Sequence, residues 1–188
     1  EFLLVPYVSS ENRPIVPMAF YPAETLVRAP SWCIPRASVA LFGVLQSAMF
    51  MAWVRTVGGR LESRFQLSPG TIYNTFPFPE LSTTSENRIS DAAQAALDAR
   101  GEFSDTPLGL LYAPTSMPAE LVKTHRALDK AVDAAYGRHK HDGDASRLAV
   151  LFRRYVQLTG GDAECFADDC TVDDDGPLLA SNGVYTIN

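Results

Sequence analysis

Few of the residues and motifs that mark catalytic or metal-binding chains occur in this 188-residue sequence. Its cysteines, Cys33, Cys165 and Cys170, include no Cys-x-x-Cys pair, which argues against a disulfide framework or a zinc knuckle and favours a reducing, cytoplasmic environment. Glycine-rich cofactor loops, a Walker loop and the Gly-x-Ser-x-Gly turn of serine hydrolases are all absent from the sequence. We therefore expect neither catalytic residues nor a cofactor in this chain.

Basic residues are scarce and unevenly placed. The first 79 residues contain six arginines, four glutamates and no lysine, whereas residues 160–188 contain seven acidic residues and no basic one. The net charge of −6 and the pI near 5.0 argue against a free-standing nucleic-acid-binding protein, which is usually basic. Both values remain compatible with a module whose neighbouring domains supply most of the phosphate contacts.

No hydrophobic run in the sequence is long and apolar enough to span a membrane. The longest apolar stretch, residues 39–57, contains Gln46, Ser47 and Arg55. We expect a long buried helix here, which begins after Ser38 and ends at Gly58. The sequence has no initiator methionine, and its first residues resemble the middle of a strand, so we expect a piece of a longer protein with no membrane partner.

The overall pattern predicts an α+β fold. We expect a small mixed or antiparallel sheet with the long buried helix, followed by a C-terminal bundle of about three helices. Frequent prolines in the first 35 residues favour edge strands and loops. Apolar spacing predicts helices at about 85–100, 118–136 and 145–158, the last capped by Asp144. The predicted units are a recognition domain at residues 1–80, a helical domain at 81–160 and an acidic, loosely ordered tail at 161–188.

The segment from Leu61 to Leu67 alternates apolar and polar residues, which predicts a strand paired with a second strand at residues 71–73. One face of this strand would be polar: Glu62, Arg64 and Gln66. The other face would be anchored in the core by Leu61, Phe65 and Leu67. Arginine can donate two hydrogen bonds to guanine, glutamate can accept one from cytosine, and glutamine can address adenine. An exposed salt bridge, worth at most about 1 kcal/mol, is the simpler explanation of the spacing alone.

The histidines and the acidic runs give weaker signals. His139 and His141, with Asp142 and Asp144 nearby, could bind a metal ion, but a polar loop with adventitious affinity is the simpler interpretation. The aspartates after residue 167 lack the spacing and the terminal glutamate of a calcium loop. We therefore expect no metal site.

Several segments, in order, resemble the C-terminal target-recognition region of MmeI-like type II restriction–modification DNA methyltransferases. They are Leu3-Leu4-Val5-Pro6 with Val8-Ser9-Ser10-Glu11, residues 41–47 and 51–55, Gly59-Arg60-Leu61-Glu62-Ser63, the Ile-Tyr-Asn-Thr-Phe-Pro-Phe-Pro segment at 72–79, and helical segments between residues 111 and 137. The resemblance covers about residues 3–158, and an ordered string of motifs is far more specific than any one of them.

The resemblance implies that residues 1–80 recognise double-stranded DNA for a bacterial methyltransferase that modifies the N6 of adenine. The catalytic domain, with its S-adenosylmethionine, would lie elsewhere in the parent polypeptide and would be a second partner of this chain. The positions that match the base-reading residues of this family are Glu62 and Arg64, so the resemblance implies that these two side chains read bases, with Gln66 as a weaker candidate. Candidates for phosphate contacts, which position a duplex without reading it, are Arg60, Arg55, Arg13, Ser9 and Ser10.

An alternative interpretation is a protein–protein or interdomain interaction module that never touches bases. It predicts that Glu62 and Arg64 pair with each other or with a protein partner. It also predicts that the isolated chain has no salt-dependent affinity for DNA.

Overall fold

All the strands of the described residues lie within the first 66 positions, where prolines are frequent. The computed structural model describes residues 1–137 and 141–160. In chain order the strands are β1 (Phe2–Pro6), β2 (Val8–Ser9), β3 (Ala19–Tyr21), β4 (Ser31–Pro35), β5 (Gly59–Leu61) and β6 (Arg64–Gln66). They pair antiparallel in the orders β3-β1-β4 and β2-β6-β5, which confirms the small antiparallel sheets expected from the sequence.

The segment that contains β1 and β2 joins these sheets. Tyr7, between β1 and β2, donates its N–H to the carbonyl of Pro30 at 3.1 Å and accepts the N–H of Leu67 at 2.7 Å. The indole N–H of Trp32 donates to the carbonyl of Leu67 at 2.8 Å. The end of β6 therefore lies beside the start of β4. These contacts connect β6, and β5 paired with it, to the β3-β1-β4 sheet.

Helices make up most of the rest of the described chain and complete the predicted α+β fold. They are α1 (Val39–Leu45), α2 (Ala48–Val57), a π-helical turn (Pro69–Tyr73), α3 (Thr83–Gly101), α4 (Leu108–Leu111), α5 (Ala119–Ala135) and α6 (Asp144–Thr159). The predicted N-cap is confirmed, because the Ser38 hydroxyl accepts the N–H of Leu41 at 3.1 Å. Gly160, with φ +73°, ends α6 as its glycine predicts.

The single helix predicted over residues 39–57 is wrong, because α1 and α2 are separate helices bent by 52°. Ser47 separates them. Its hydroxyl accepts the N–H of Phe50 at 3.3 Å and donates to the carbonyl of Val44 at 2.6 Å, so it caps a new helix. Both helices are largely buried, as the apolar run predicts.

The second strand predicted at residues 71–73 is also wrong. These residues belong to the π-helical turn, in which the N–H of Asn74 donates to the carbonyl of Pro69 at 2.9 Å. Proline at the first position favours a helical turn, because a helix needs no N–H there. Ile72 is fully buried by this turn and packs in the main core.

The main hydrophobic core contains side chains from both sides of residue 80. Gly43 of α1 lies at the meeting point of α1, α3 and α5. A Cβ atom at this position would lie 2.8 Å from Ile89, 3.0 Å from Ala93 and 3.2 Å from Leu128. The absence of a side chain at Gly43 therefore permits the close packing of these helices. The division into two domains near residue 80 stays a prediction.

Replacing Gly43→Ala should lower the free energy of unfolding by about 1–3 kcal/mol, because the added methyl group overpacks the junction. Alanine normally stabilises a helix interior by up to about 1 kcal/mol relative to glycine, so the sign itself is informative. Gly101→Ala is the matched control, since a Cβ there meets no atom within 4 Å. Urea denaturation of the two variants measures the effect, and equal stability of both would contradict the packing.

Asp129 of α5 completes the start of α2. Its carboxylate accepts the N–H of Ala48 at 2.6 Å, which satisfies one of the amide donors left free at a helix N-terminus. Burial raises the pKa of the Asp129 carboxyl to about 6, whereas the Ala48 hydrogen bond and Arg147 act in the opposite direction. Between about pH 4 and pH 6 the folded protein therefore holds a proton on Asp129 that the unfolded chain releases. Binding of this proton stabilises the fold fully below about pH 4, and this stabilisation is lost as the pH rises through about 6.

The Asp129→Asn variant should be more stable than the unmodified protein at pH 7, by up to about 3 kcal/mol, and equally stable near pH 4. The amide keeps an acceptor for the N–H of Ala48 and cannot ionise. Urea denaturation between pH 4 and pH 8 tests this. Asp129→Ala, as a control, should lose about 1–3 kcal/mol near pH 4, because it leaves the amide donor without an acceptor. A difference between the Asp and Asn proteins that is constant with pH would refute the raised pKa.

Some predictions fall outside the described residues, namely those on His139 and on the tail at 161–188. Within residues 1–137 and 141–160, no three His, Cys, Asp or Glu side chains come together in a way that could hold a metal ion. No single helix of these segments is both long and apolar enough to cross a membrane, and α1 and α2 meet those criteria only as a bent pair.

Candidate nucleic-acid interface

The strands β5 and β6 form a tight hairpin at one edge of the β2-β6-β5 sheet. Their register pairs Leu61 with Arg64, so Glu62 and Ser63 are the two turn residues, and we call them the hairpin tip. The continuous strand predicted over residues 61–67 is therefore wrong. The alternation of apolar and polar residues continues through the turn, and no glycine, asparagine or aspartate marks it.

The hairpin is anchored by Phe65 and Leu67, which are 3% and 1% exposed and pack in the main core as predicted. Leu61 does not anchor it, because this side chain lies opposite Arg64 on the outer face and is 47% exposed. Gln66 is half-buried and lies two positions along β6 from Arg64, so the two side chains share a face.

Glu62 of the hairpin tip forms an ion pair with Arg64, the first residue of β6. Arg64 Nη2 donates to Glu62 Oε2 at 2.7 Å, and the side chains are 46% and 78% exposed for Arg64 and Glu62 respectively. The side chains are therefore solvent-accessible and adjacent, as base readout requires, and they pair with each other, as the interaction-module alternative predicts. An exposed pair of this kind contributes at most about 1 kcal/mol, so it can open toward another partner at little cost.

The backbone at Glu62 has φ +58°, a conformation that glycine adopts far more readily. A residue with a Cβ atom loses roughly 1–2 kcal/mol in this conformation. Positive φ at the first turn residue suits the twist of a two-residue hairpin, which explains why the turn adopts it. A strained glutamate in solvent, where glycine would be more stable, points to a use of its side chain rather than to a structural role.

Glu11, which the sequence analysis did not single out, holds the hairpin tip from the segment after β2. The Ser63 hydroxyl donates to Glu11 Oε1 at 3.0 Å. The pKa of the Glu11 carboxyl is lowered, mainly because the backbone N–H of Glu11 donates a hydrogen bond to this carboxylate. The hydrogen bond from Ser63 and the positive charges of Arg60 and Arg64 lower the pKa further. The contact joins residues 52 positions apart, so local sequence patterns contain no signal for it.

Arg60 of β5 points back toward the protein rather than freely into solvent. Its guanidinium carbon lies 4.2 Å from the centre of the Phe65 ring. Its Nη1 donates to the carbonyl of Ser63 and its Nη2 to the carbonyl of Arg55, each at 3.3 Å. The phosphate contact predicted for Arg60 stays a prediction, and these donors already have protein acceptors.

Arg55, in the last turn of α2, forms an ion pair with α6. Its Nη1 lies 2.8 Å from Oδ2 of Asp144, and both side chains are only partly exposed. Asp144 therefore does not cap α6 as predicted, and Gly143 is the residue that precedes the helix. A phosphate contact by Arg55 would have to compete with this carboxylate.

The remaining candidates for phosphate contacts lie in and after β2. Ser9 is 2% exposed, so its hydroxyl lies inside the protein and the contact predicted for it is not available in this arrangement. Ser10 is more accessible, and its hydroxyl accepts the N–H of Asn12 at 3.3 Å. Arg13 Nη2 donates to the carbonyl of Gly109 at 3.0 Å, which ties this loop to α4. Of the three, Ser9 is buried, whereas Ser10 and Arg13 are both half-buried.

The hydrogen bonds at the hairpin tip involve two positive and two negative side chains, namely those of Arg60, Arg64, Glu11 and Glu62. This local balance lacks the excess positive charge that attracts a polyanion over a distance. The geometry instead suits short-range hydrogen bonding, in which one donor and one acceptor side by side face a partner with complementary groups.

Comparison with known proteins gives consistent results. The sequence model of the MmeI target recognition domain matches residues 1–80, and that of the MmeI C-terminal domain matches residues 82–161. DNA methyltransferase A of Bacillus subtilis (strain 168) is 43% identical over 157 residues, which are 84% of this chain and 18% of that protein.

A solved structure also resembles the chain closely. It is the type IIL restriction–modification enzyme MmeI in complex with DNA, with a TM-score of 0.81 and 41% identity. The similarity covers 85% of this chain and 21% of that one. The chain thus spans only 18% and 21% of the lengths of these two relatives.

Glu62→Gly and Glu62→Val should differ in stability by about 1–2 kcal/mol, with the glycine variant more stable. Both variants lose the ion pair with Arg64, so the difference isolates the backbone strain at the hairpin tip. Relative to the unmodified protein, Glu62→Gly should lose no more than about 1 kcal/mol of its free energy of unfolding, the most that the exposed ion pair contributes. Chemical denaturation measures all three, and a strongly destabilised glycine variant would show that the glutamate is needed for folding.

Proposed function

The chain belongs to the MmeI family, whose target recognition and C-terminal domains it contains, and we propose that it recognises a DNA sequence on behalf of a methyltransferase in the same polypeptide. In this proposal the parent is a restriction–modification enzyme that transfers a methyl group from S-adenosylmethionine to the N6 of an adenine. The similarity to a DNA methyltransferase and to a DNA-bound restriction–modification enzyme supports it.

The observation that carries the proposal is the exposed ion pair between Glu62 of the hairpin tip and Arg64. The major groove of B-DNA admits a two-stranded β-ribbon, and the β5–β6 hairpin has this shape. Arg64 can donate two hydrogen bonds to O6 and N7 of guanine, and Glu62 can accept one from N4 of cytosine. Gln66, on the same face as Arg64, can address a neighbouring base pair.

The ion pair between Glu62 and Arg64 has a role in the DNA-free protein. It keeps the donor and the acceptor side by side before a duplex arrives. Because an exposed ion pair adds little stability, charge-assisted hydrogen bonds to bases can replace it when DNA binds. The same pair would also serve an interaction module. Readout of bases is favoured because glycine would adopt the positive φ of this turn at a lower cost, so a glutamate there gives the hairpin no structural benefit, whereas an acid at this position has a use in the groove.

Phosphate contacts in this proposal come largely from the rest of the parent protein. The hairpin tip is locally balanced in charge, and Arg55 and Arg13 are engaged with protein acceptors. We therefore expect weak binding by the chain alone and strong, salt-dependent binding by the parent.

This proposal assigns the methyl donor to another part of the parent protein. A cleft of about 200 Å³ lies between residues 79–80, the end of α5 and α6, and is lined in part by Pro79, Tyr136 and Arg154. Pockets that enclose drug-sized ligands typically measure about 300–1,000 Å³. With no glycine-rich loop in the sequence, these residues do not fit S-adenosylmethionine, and the proposal assigns it to another domain of the parent.

A charge swap in the full-length parent tests the proposal. Glu62→Lys together with Arg64→Asp should change the preferred base pair at one position of the recognised site, because donor and acceptor exchange places. Each bidentate contact should contribute about 1–3 kcal/mol of discrimination. Methylation assays on duplexes that vary one position at a time measure the preference.

A matched control is the swap of another exposed pair, Glu120→Lys with Lys123→Glu on α5, where the ions lie 3.3 Å apart. This control should leave every base preference unchanged. If the swap at the hairpin weakens methylation equally at all sequences, direct readout by this pair is refuted. If the unmodified parent shows no salt-dependent affinity for DNA, the proposed recognition of DNA is refuted.

A further inference from the structure

Arg60 joins the hairpin tip to the end of α2. One edge of its guanidinium donates to the carbonyl of Ser63, the second turn residue, and another to the carbonyl of Arg55, each at 3.3 Å. The flat face lies 4.2 Å from the centre of the buried Phe65 ring. The side chain thus contacts the turn, the core of the hairpin and the preceding helix at once.

From this geometry we infer that Arg60 is a positioning residue for base readout, which holds the hairpin tip at a fixed height and angle, rather than a phosphate contact. The inference rests on the proposed function, and it assigns Arg60 a role that acts through Glu62 and Arg64. Two donors of Arg60 serve protein carbonyls, so in this inference the guanidinium holds the hairpin in place instead of binding a phosphate.

The acceptor on α2, the carbonyl of Arg55, needs a donor from outside the helix. Arg55 lies in the last turn of the helix, where carbonyl groups have no partner within the helix and where the helix dipole is negative. An arginine is suited to such a place because it is always charged and its planar fork can serve two acceptors at once. Lysine has the same charge but presents it as a single point, without a flat face to stack on Phe65.

The helix end to which Arg60 binds is itself fixed. The Arg55 side chain pairs with Asp144 of α6 at 2.8 Å, so the C-terminal helices hold the point from which the hairpin is oriented. On the other side of the tip, Glu11 accepts the hydroxyl of Ser63. Ser63 is therefore held through its carbonyl by Arg60 and through its hydroxyl by Glu11.

The hairpin needs this support. β5 is an exposed edge strand of three residues, and such a short ribbon is marginally stable by itself. The turn also contains the strained backbone of Glu62. Groups that read bases must be held within about 0.5 Å of their productive geometry, so a tip free to tilt would lose selectivity before it lost affinity.

The test is Arg60→Lys in the full-length parent, compared with Arg60→Ala and with Arg88→Lys, an exposed arginine on α3, as the control. Three quantities are measured: discrimination at the base pair altered by the Glu62 and Arg64 swap, discrimination at the other positions, and the slope of log affinity against log salt. Hydrogen exchange of the Leu61 and Arg64 amides in the DNA-free protein is measured in parallel.

Arg60→Lys and Arg60→Ala should both reduce discrimination at that one base pair about tenfold, leave the other positions within about twofold, and leave the salt slope unchanged. Exchange of the hairpin amides should be faster in both variants, and Arg88→Lys should behave like the unmodified protein. Restoration of discrimination by lysine, with a salt slope reduced by about one in the alanine variant alone, would overturn the inference and identify a phosphate contact.

Two other outcomes are also decisive. Equal losses at all positions, with unchanged exchange of the hairpin amides, would overturn the inference, because the tip would be held without Arg60. If the unmodified parent shows no base discrimination at all, the proposed function fails. Faster amide exchange in both variants would then still support positioning of the tip, and unchanged exchange would refute it.

Discussion

The pairing of Leu61 with Arg64 across a two-residue turn is the constraint on which the candidate interface depends. It places the acid on the turn and the guanidinium at the start of the next strand, so that the two side chains meet at 2.7 Å in solvent. It also forces a positive φ on Glu62, which is unfavourable for any residue with a Cβ atom. The hairpin persists because its Phe65 side chain is buried in the core and because Ser63 of the turn donates a hydrogen bond to Glu11, outside the hairpin.

The C-terminal helices take part in this arrangement. Asp144 of α6 holds the side chain of Arg55, and the carbonyl of Arg55 accepts from Arg60, which contacts the turn. Deeper in the protein, Asp129 of α5 receives the first amide of α2, the helix that leads into the hairpin. Contacts between side chains therefore connect the candidate interface to the C-terminal helices, although the two segments match separate family models.

Local signals in the sequence predicted many elements correctly. Ser38 and Gly160 mark a helix start and a helix end because side-chain capping and left-handed glycine are properties of single residues. Ser47 carried a similar signal, but the apolar residues around it outweighed it, and one helix was predicted where two exist. The turn at Glu62 and Ser63 has no turn-forming residue, so alternation alone led to a continuous strand.

The sequence by itself determined the α+β class, the kinds of residue at the candidate interface and, through ordered motifs, the family to which the chain belongs. Those features depend on side-chain chemistry and on spacing over a few residues. Only the tertiary structure decided that Leu61 is exposed, that Ser9 is buried, and that Arg60 and Glu11 hold the turn. The physical reason is that burial and hydrogen-bond partners depend on contacts between segments far apart in the chain, which local periodicity does not encode.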